Sequence, residues 1–270
     1  MSKVDQRLAA FRAAGRKALI PFITAGDPDL ETTVELIRAF DRLGCGVCEI
    51  GIPYSDPIAD GPVIQASYTR SLERGIRVDA IFDAIGSVAR EIEMPVVVMV
   101  SYAIVHRIGI DKFLDRAIEA GIAGAIVPDL LIEDGDELQA AASAKDFSLI
   151  RLVTPTTPAD RAAAIARAST GFVYCVSVTG ITGERATIPA ATLARIDELR
   201  RQTSVPICVG FGISAADQVA DVGRTADGVI VGSALVRRLA EPGSRAETVE
   251  RVAAFAGELV AGLDSVATGR

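Results

Sequence analysis

The chain has 270 residues, half of them apolar and 23% charged, which is enough for one or two domains with a sizeable core. This composition excludes a disordered chain, a collagen and a small disulfide-stabilised scaffold. The net charge of −7 and the isoelectric point near 4.9 give no electrostatic reason to bind nucleic acid or an anionic membrane. The expected partners are therefore a small molecule or another protein.

No segment of the sequence has the pattern of a membrane span or of a signal peptide. The most apolar stretch, residues 94–105, is interrupted by Pro95 and Ser101 and is too short to cross a bilayer. The first residues carry charges at Asp5 and Arg7 in place of the unbroken apolar core of a signal peptide. We therefore expect a cytoplasmic protein.

In chain order, the first predicted element is an amphipathic helix on which Val4, Leu8 and Phe11 share one face. Ser2 and Asp5 have the spacing of a capping box at its start. Because this helix precedes the first strand, we expect it to cover the bottom of the fold that follows.

Eight short apolar runs then alternate with segments of helical periodicity. The predicted strands are residues 19–23, 47–50, 96–100, 125–127, 148–153, 172–176, 206–209 and 228–231. The predicted helices between them include residues 31–43, 78–91, 111–120, 158–168, 191–201 and 215–222. Eight strand–helix cycles whose strands are apolar on both faces predict an α/β fold, a parallel sheet closed into a (β/α)8 or TIM barrel. Since no linker or repeat divides the chain, residues 1–270 are predicted to form a single barrel domain.

The reactive side chains exclude several kinds of site. His106 is the only histidine, which rules out a histidine-rich metal site and leaves a Ser-His-Asp or Cys-His system without a marked nucleophile. Schiff-base chemistry is disfavoured because no lysine follows a predicted barrel strand, where barrel active sites are built. The lysines are Lys3, Lys17, Lys112 and Lys145. Cys45 and Cys48 run into the second strand and do not open a helix, so we expect ordinary buried cysteines. Carboxylates and tyrosines remain for proton transfer.

Glu49 is the candidate that strand geometry singles out. Side chains alternate along a strand, so Glu49 and Gly51 share one face and Cys48 lies on the other. We expect this face to point into the barrel mouth, where a carboxylate either pairs with a cation or loses solvent, which raises its pKa towards general acid-base catalysis. The alternative is a salt bridge with an interior arginine, although no arginine lies in or directly after the first three predicted strands.

The loop that follows the second strand, residues 52–62, reads IPYSDPIADGP and is stiffened by three prolines. Asp60 is its second candidate for proton transfer. Because Asp60 precedes Gly61 and Pro62, it could instead cap the helix predicted to start near Pro62. Asp56 and Asp60 could also hold Mg²⁺, but their spacing has no ion-specific pattern.

Glycine-rich turns follow the last three predicted strands. Residues 210–214 read GFGIS and residues 232–234 read GSA, and each segment opens a helix. In α/β barrels these two loops often bind phosphate through backbone N–H groups, and residues 179–183, TGITG, could add a third edge. A dinucleotide fits less well, because no acidic residue at the end of strand eight could hold its ribose. The glycines could also do no more than close tight turns.

With these pieces in place, the sequence resembles the tryptophan synthase alpha chain family over nearly its whole length. The resemblance is carried by PFITAGDP at 21–28, EIGIPYSDPIADGPVIQ at 49–65, VPDL at 127–130, SVTGITG at 177–183 and the two glycine loops. It implies a lyase that cleaves indole-3-glycerol phosphate by a retro-aldol reaction, without metal or cofactor, as the alpha subunit of an α2β2 tetramer with a beta chain. A stand-alone lyase that releases free indole is the alternative. A barrel that has lost its chemistry is disfavoured, because both Glu49 and Asp60 are present.

The resemblance also implies a role for each site residue. Glu49 and Asp60 would be the catalytic pair: Glu49 protonates C3 of the indole and helps to remove the proton of the side-chain hydroxyl, while Asp60 holds the ring N–H. Tyr174 and Thr182 would support the site. The implied lining of the indole pocket is Phe22, Val100, Tyr102, Val127 and Ile230. The implied surroundings of the phosphate are Gly183, Gly212, Gly232 and Ser233.

Two departures from the family pattern fall on the face that, in the family, meets the beta chain. Ile104 and Val105 stand where the family usually has Asn, often followed by Pro, and residues 130–134 read LLIED where the family tends to have LPPEE. We therefore expect a beta chain to dock more weakly than is usual.

Overall fold

The computed structural model describes residues 1–57, 60–177, 190–210, 212 and 215–267. Within these residues, eight strands form a closed barrel in which each strand is parallel to both neighbours and β8 pairs with β1. The strands are β1 Ala18–Thr24, β2 Cys48–Gly51, β3 Val96–Met99, β4 Ile122–Ile126, β5 Ser148–Val153, β6 Val173–Val176, β7 Ile207–Gly210 and β8 Gly228–Val231. The predicted TIM barrel is confirmed. The largest difference at a strand boundary is in β4, which begins three residues earlier than predicted, because Ala123 and Gly124 interrupt the β-branched pattern.

Helices fill the connections between strands. They are α1 Lys3–Ala13, α2 Leu30–Arg42, α3 Pro62–Glu73, α4 Val78–Val88, α5 Tyr102–Ile108, α6 Ile110–Glu119, α7 Asp136–Ala144, α8 Ala159–Ala168, α9 Ala190–Arg200, α10 Ala216–Gly223, α11 Ser233–Leu239 and α12 Arg245–Ala267. A 3-10 turn covers Ile132–Asp134. None of the helices in the described ranges is long and apolar enough to cross a membrane.

Helix α1 covers the bottom of the barrel, as the sequence predicts. Ser2 and Asp5 form the capping box, with the side chain of each accepting from the backbone of the other. The Ser2 hydroxyl lies 2.7 Å from that of Ser148 at the start of β5, and Asp5 accepts a 2.9 Å bond from the N–H of Gly171 just before β6. These contacts hold α1 against the amino ends of the strands, so the opposite end of the barrel is left open for a site.

The core has two layers, because successive strand residues face opposite sides of the sheet. An outer layer lies between the strands and the helices and includes Phe40, Ile50 and Val98. The four cysteines are all buried and free, as predicted, and burial raises the pKa of the Cys45 thiol to about 12. The inner cluster fills the barrel and its ends. Its buried members include Leu8, Ile20, Phe22, Val47, Ile64, Tyr68, Val97, Met99, Ile126, Ile150, Phe172, Cys208 and Ile230.

Candidate active site

Glu49 lies inside the barrel, two residues before the end of β2. The strand register places it beside Phe22 on β1 and Val97 on β3, and both of these neighbours belong to the inner cluster. The Glu49 side chain is 0% exposed. The alternation of β2 therefore puts a carboxyl group among apolar side chains, as the sequence predicts.

The Glu49 carboxyl group has no compensating partner. Neither of its oxygens accepts or donates a hydrogen bond within the part of the chain that the structure describes, so the alternative of a salt bridge to an interior arginine is wrong. Burial, and secondarily the nearby charge of Asp60, raises the pKa of Glu49 to about 8. At neutral pH this group therefore holds a proton, and it can release that proton without a large change of pH.

Asp60 provides the second carboxylate of the site. The alternative of a helix cap is wrong: α3 is preceded by Gly61 as its N-cap, with no side-chain cap hydrogen bond. Asp60 is half-buried instead, and burial raises its pKa to about 6 while a hydrogen bond with Tyr54 works in the opposite direction. The Gln65 amide donates to the backbone oxygens of Asp60 at 2.7 Å and Pro57 at 3.2 Å, which holds this end of the loop in place.

The predicted apolar lining divides between the two layers of the core. Phe22 and Ile230 belong to the inner cluster, and Tyr174 packs against it, so these three reach the interior that holds Glu49. Val100 and Val127, just after β3 and β4, pack with the outer layer, as does Tyr102 at the start of α5. The place of these three residues in an indole pocket therefore stays a prediction.

The glycine loops lie at the same end of the barrel as the carboxylates. A side chain at Gly232 would bring a Cβ within 3.3 Å of the Phe22 ring, so this loop lies next to the inner cluster. Ser233 is half-buried at the first position of α11, and Gly212 is exposed. Thr182 and Gly183 lie outside the described residues, as do positions 211, 213 and 214 of the other loop.

Comparisons with known proteins show which family the chain belongs to. The profile of the tryptophan synthase alpha chain family matches residues 8–264. The chain belongs to this family. It is 48% identical over 251 residues to the tryptophan synthase alpha chain of Rhodopirellula baltica, an alignment that covers 92% of this chain and 90% of that one.

Solved structures of the tryptophan synthase alpha chain family share the fold. Tryptophan synthase of Mycobacterium tuberculosis superimposes with a TM-score of 0.88 at 35% identity, covering 97% of this chain and 98% of that chain. A tryptophan synthase complex from Pyrococcus furiosus gives a TM-score of 0.83 at 35% identity, covering 91% and 98%. As a member of the family, the chain is a lyase of tryptophan biosynthesis.

The mouth also contains side chains that the sequence did not single out. Met99 and Ile126 face inwards from β3 and β4, and Tyr54 and Tyr68 come from the loop after β2 and from α3. Strand alternation would have found Met99, since it lies two residues after inward-facing Val97. No local signal marks Tyr68, whose i, i+4 spacing from Ile64 is that of any buried helix face.

The described residues offer no obvious metal site. Nowhere in these ranges do three or more His, Cys, Asp or Glu side chains lie close enough together to hold a metal ion. Asp56, the acidic residue closest to Asp60 in the loop, is exposed and accepts a 2.8 Å bond from the Ser55 hydroxyl.

Proposed function

We propose that this chain cleaves indole-3-glycerol phosphate to indole and glyceraldehyde 3-phosphate, with Glu49 and Asp60 as the catalytic residues. The observation that carries the proposal is the Glu49 carboxyl group, which is fully buried, unpartnered within the described chain and has a pKa near 8. A group of this kind exchanges protons readily at neutral pH.

Each carboxylate has a distinct task in this reaction. Glu49 gives its proton to C3 of the indole, and the ring becomes an electron-accepting cation. Glu49 then takes the proton of the adjacent side-chain hydroxyl as the carbon–carbon bond breaks, and the bonding electrons return to the ring. Asp60, whose pKa near 6 leaves it ionised at neutral pH, accepts a hydrogen bond from the ring N–H and stabilises the developing positive charge. Because the protonated ring is itself the electron sink, no metal or cofactor takes part.

The remaining site residues bind the two ends of the substrate. Tyr174 supports the reacting centre. The proposed indole pocket consists of Phe22, Val100, Tyr102, Val127 and Ile230. Thr182 is proposed to support that centre as well, and Gly183, Gly212, Gly232 and Ser233 to surround the glycerol phosphate, because glycines let backbone N–H groups approach an anion closely.

We also propose that residues 1–270 form one domain, that the chain works in the cytoplasm, and that a beta chain is its partner. The partner follows from the kind of protein it resembles, which includes a tryptophan synthase complex from Pyrococcus furiosus. No observation favours a stand-alone lyase. Indole release measured with and without a beta chain tests the partnership, since a coupled alpha chain should be accelerated by its partner.

Glu49→Gln and Asp60→Asn test the catalytic assignment. Each should lower kcat for indole release by about two orders of magnitude or more, while glycerol 3-phosphate still binds, because only proton transfer and charge stabilisation are removed. Asp56→Asn is the matched control, since Asp56 is exposed in the same loop, and it should turn over at nearly the unmodified rate. Near-normal turnover by either test variant would refute the assigned roles.

A further inference from the structure

Tyr68 has a buried polar group that the proposed function leaves without a task. Its side chain is 0% exposed, and its hydroxyl finds no hydrogen-bond partner in the described part of the chain. A buried hydroxyl without a partner is costly, and native proteins rarely keep one unless a ligand or a reaction uses it. Phenylalanine would fill the same volume without that cost, so the hydroxyl itself needs a reason.

The Tyr68 hydroxyl lies in the barrel mouth. A Cβ placed on Gly51 would be 2.7 Å from the Tyr68 hydroxyl and 2.6 Å from the tip of the Phe22 ring. Gly51 follows Glu49 by two residues on the same face of β2, so the phenol occupies the space that a side chain would fill at the next inward-facing position after Glu49. The absence of a side chain at Gly51 is therefore what admits the hydroxyl to the site.

Helix α3 holds this phenol in place from the outside of the mouth. The Arg70 guanidinium and the Ser67 hydroxyl both donate to the carboxylate of Asp27, in the loop after β1. The Ser71 hydroxyl donates a 2.7 Å bond to the backbone oxygen of Ala25 in the same loop. The ring of Tyr68 also packs against that of Tyr54, at 5.5 Å between centroids. With the helix and the ring both fixed, little ordering remains when the hydroxyl meets a charge.

The charges that face Tyr68 come from the site. Burial, followed by the electrostatic effects of Asp60, Tyr54 and Glu49, raises the pKa of the Tyr68 phenol well above its ordinary value. Tyr68 is therefore a hydrogen-bond donor and not a base at neutral pH. Tyr174 on β6 is a second phenol of the site: burial, then Glu49 and Asp60, raise its pKa well above the ordinary value, and a Cβ at Gly210 would lie 2.7 Å from its hydroxyl.

The proposed reaction creates a need for such a donor. When Glu49 passes its proton to C3 of the indole, the electron pair of the ring double bond forms the new C–H bond and a buried carboxylate is left behind. No arginine or lysine forms an ion pair with Glu49 among the salt bridges of the described residues. Beside the charge of the protonated ring, a hydrogen bond from a nearby hydroxyl of the chain can stabilise that anion.

We propose that Tyr68 is a positioning residue of the lyase, whose hydroxyl donates a hydrogen bond to the Glu49 carboxylate while that group is ionised. The proposal rests on the proposed function of Glu49 as the group that gives and regains a proton. Tyr68 itself transfers no proton. Its hydrogen bond orients the carboxylate between the two proton transfers and lowers the cost of its charge.

Tyr68→Phe tests this role, because it removes the hydroxyl and keeps the ring. The titration of Glu49 is followed in the full-length chain, labelled with ¹³C at glutamate carboxyl groups, and Glu49→Gln identifies the signal by its loss. If the phenol stabilises the ionised form, the titration midpoint of Glu49 should move up by about one pH unit in Tyr68→Phe, the size expected for a hydrogen bond to a charge. The value of kcat should fall about tenfold with little change in KM, and Tm should not fall.

Thr69→Ala is the matched control, since Thr69 lies on the exposed face of the same helix and bonds only to the backbone of Gln65. It should leave both the midpoint and kcat unchanged. A Glu49 titration in Tyr68→Phe that superimposes on that of the unmodified chain overturns the inference, whatever the activity. The proposed function fails by a different result, namely turnover that survives in Glu49→Gln.

Discussion

Asp27 and Glu49 are buried carboxyl groups at the same end of two adjacent strands, but they differ in their hydrogen-bonding partners. Asp27 is 3% exposed and accepts hydrogen bonds from Ser67 and from two nitrogens of the Arg70 guanidinium, Nε at 3.1 Å and Nη2 at 2.5 Å. Glu49 is 0% exposed and has no partner in the described chain. The donors around Asp27 stabilise a charged carboxylate, whereas the surroundings of Glu49 favour the protonated carboxyl group.

The difference distinguishes a structural carboxylate from a reactive one. A buried charge is tolerated when it is paired and hydrogen-bonded, and the Asp27–Arg70 pair joins α3 to the loop after β1. A buried group without partners lowers stability and persists where its altered pKa is useful. Burial alone therefore does not separate these two carboxyl groups, whereas the presence or absence of a hydrogen-bonding partner does.

The largest expected effect is on the pH dependence of stability. In the unfolded chain Glu49 has the ordinary glutamate pKa of 4.5, and in the folded chain its pKa is about 8. Its protonated form is therefore favoured by folding, and that contribution is complete below pH 4.5 and is lost as pH rises towards 8. Relative to Glu49→Gln, the unmodified chain should lose about 4–5 kcal/mol of unfolding free energy between pH 4 and pH 9, at about 1.4 kcal/mol per unit. Urea unfolding at several pH values measures this, and parallel curves for the two chains would show that Glu49 titrates normally.

Removing Arg70, the ion-pair partner of Asp27, should lower the free energy of unfolding by about 3 kcal/mol. Arg70→Leu leaves Asp27 buried with only Ser67, and an uncompensated buried charge is costly. Adding Asp27→Asn to Arg70→Leu should recover part of the loss. Arg38→Leu is the control, because the Arg38–Glu91 pair has similar geometry, at 2.7 Å, but lies at the surface and should matter by less than about 1 kcal/mol. Equal losses of stability in Arg70→Leu and Arg38→Leu would refute the structural role assigned to Asp27.

A methyl group at Gly51 should disturb the reactive region itself. Gly51→Ala places a Cβ 2.6 Å from Phe22 and 2.7 Å from the Tyr68 hydroxyl, so the site must shift, at a cost of about 1–3 kcal/mol and with a loss of activity. Gly61→Ala meets no atom within 4 Å and should change stability by about 0.5 kcal/mol or less. Chemical denaturation and indole release compare the two variants. If Gly51→Ala changes neither stability nor activity, Phe22 and Tyr68 have room to move away from the added methyl group.

The barrel and its reactive carboxylate could be predicted from the sequence, because both depend on local periodicity. Eight apolar runs separated by helical segments are read directly, and alternation along four residues orients Glu49. Local periodicity could not show that Asp27 is structural while Glu49 is reactive, since Arg70, the partner of Asp27, is 43 residues further along the chain. Tyr68 was missed for the same reason, because its environment is made by β1 and β2.

Local periodicity also fails to predict side-chain direction and capping at the ends of strands and helices. Val100 and Val127 follow the last residues of β3 and β4, where strand alternation no longer fixes the direction of a side chain. The aspartate-glycine-proline sequence at position 60 suggested a helix cap as one alternative, yet the structure starts α3 without one. Helix α7, whose sequence DELQAAASA is dominated by alanine, has only two buried residues and gave too weak an apolar stripe to predict.

The smallest expected effect concerns residues 104 and 131–132, which the family resemblance places at the contact with a beta chain. Ile104 is half-buried and lines a cavity of about 420 Å³ with Ile76, Val78 and Ile108. Leu131, in the second departure from the family pattern, is 56% exposed. Ile104 and Leu131 are thus apolar at positions where the family resemblance implies an amide and a proline.

Docking of a typical beta chain should be weaker by about one to two decades in affinity. An apolar Ile104 cannot hydrogen-bond the partner, and a partner backbone group buried without a bond costs about 1–3 kcal/mol. Leu131 and Ile132 also lack the rigidity of two prolines, which adds to the ordering cost of association. Titration calorimetry against a standard beta chain measures the difference, with Ile104→Asn as the paired variant that should regain affinity. Tight binding by the unmodified chain, with no gain in Ile104→Asn, would show that the partner satisfies its polar groups elsewhere on this face.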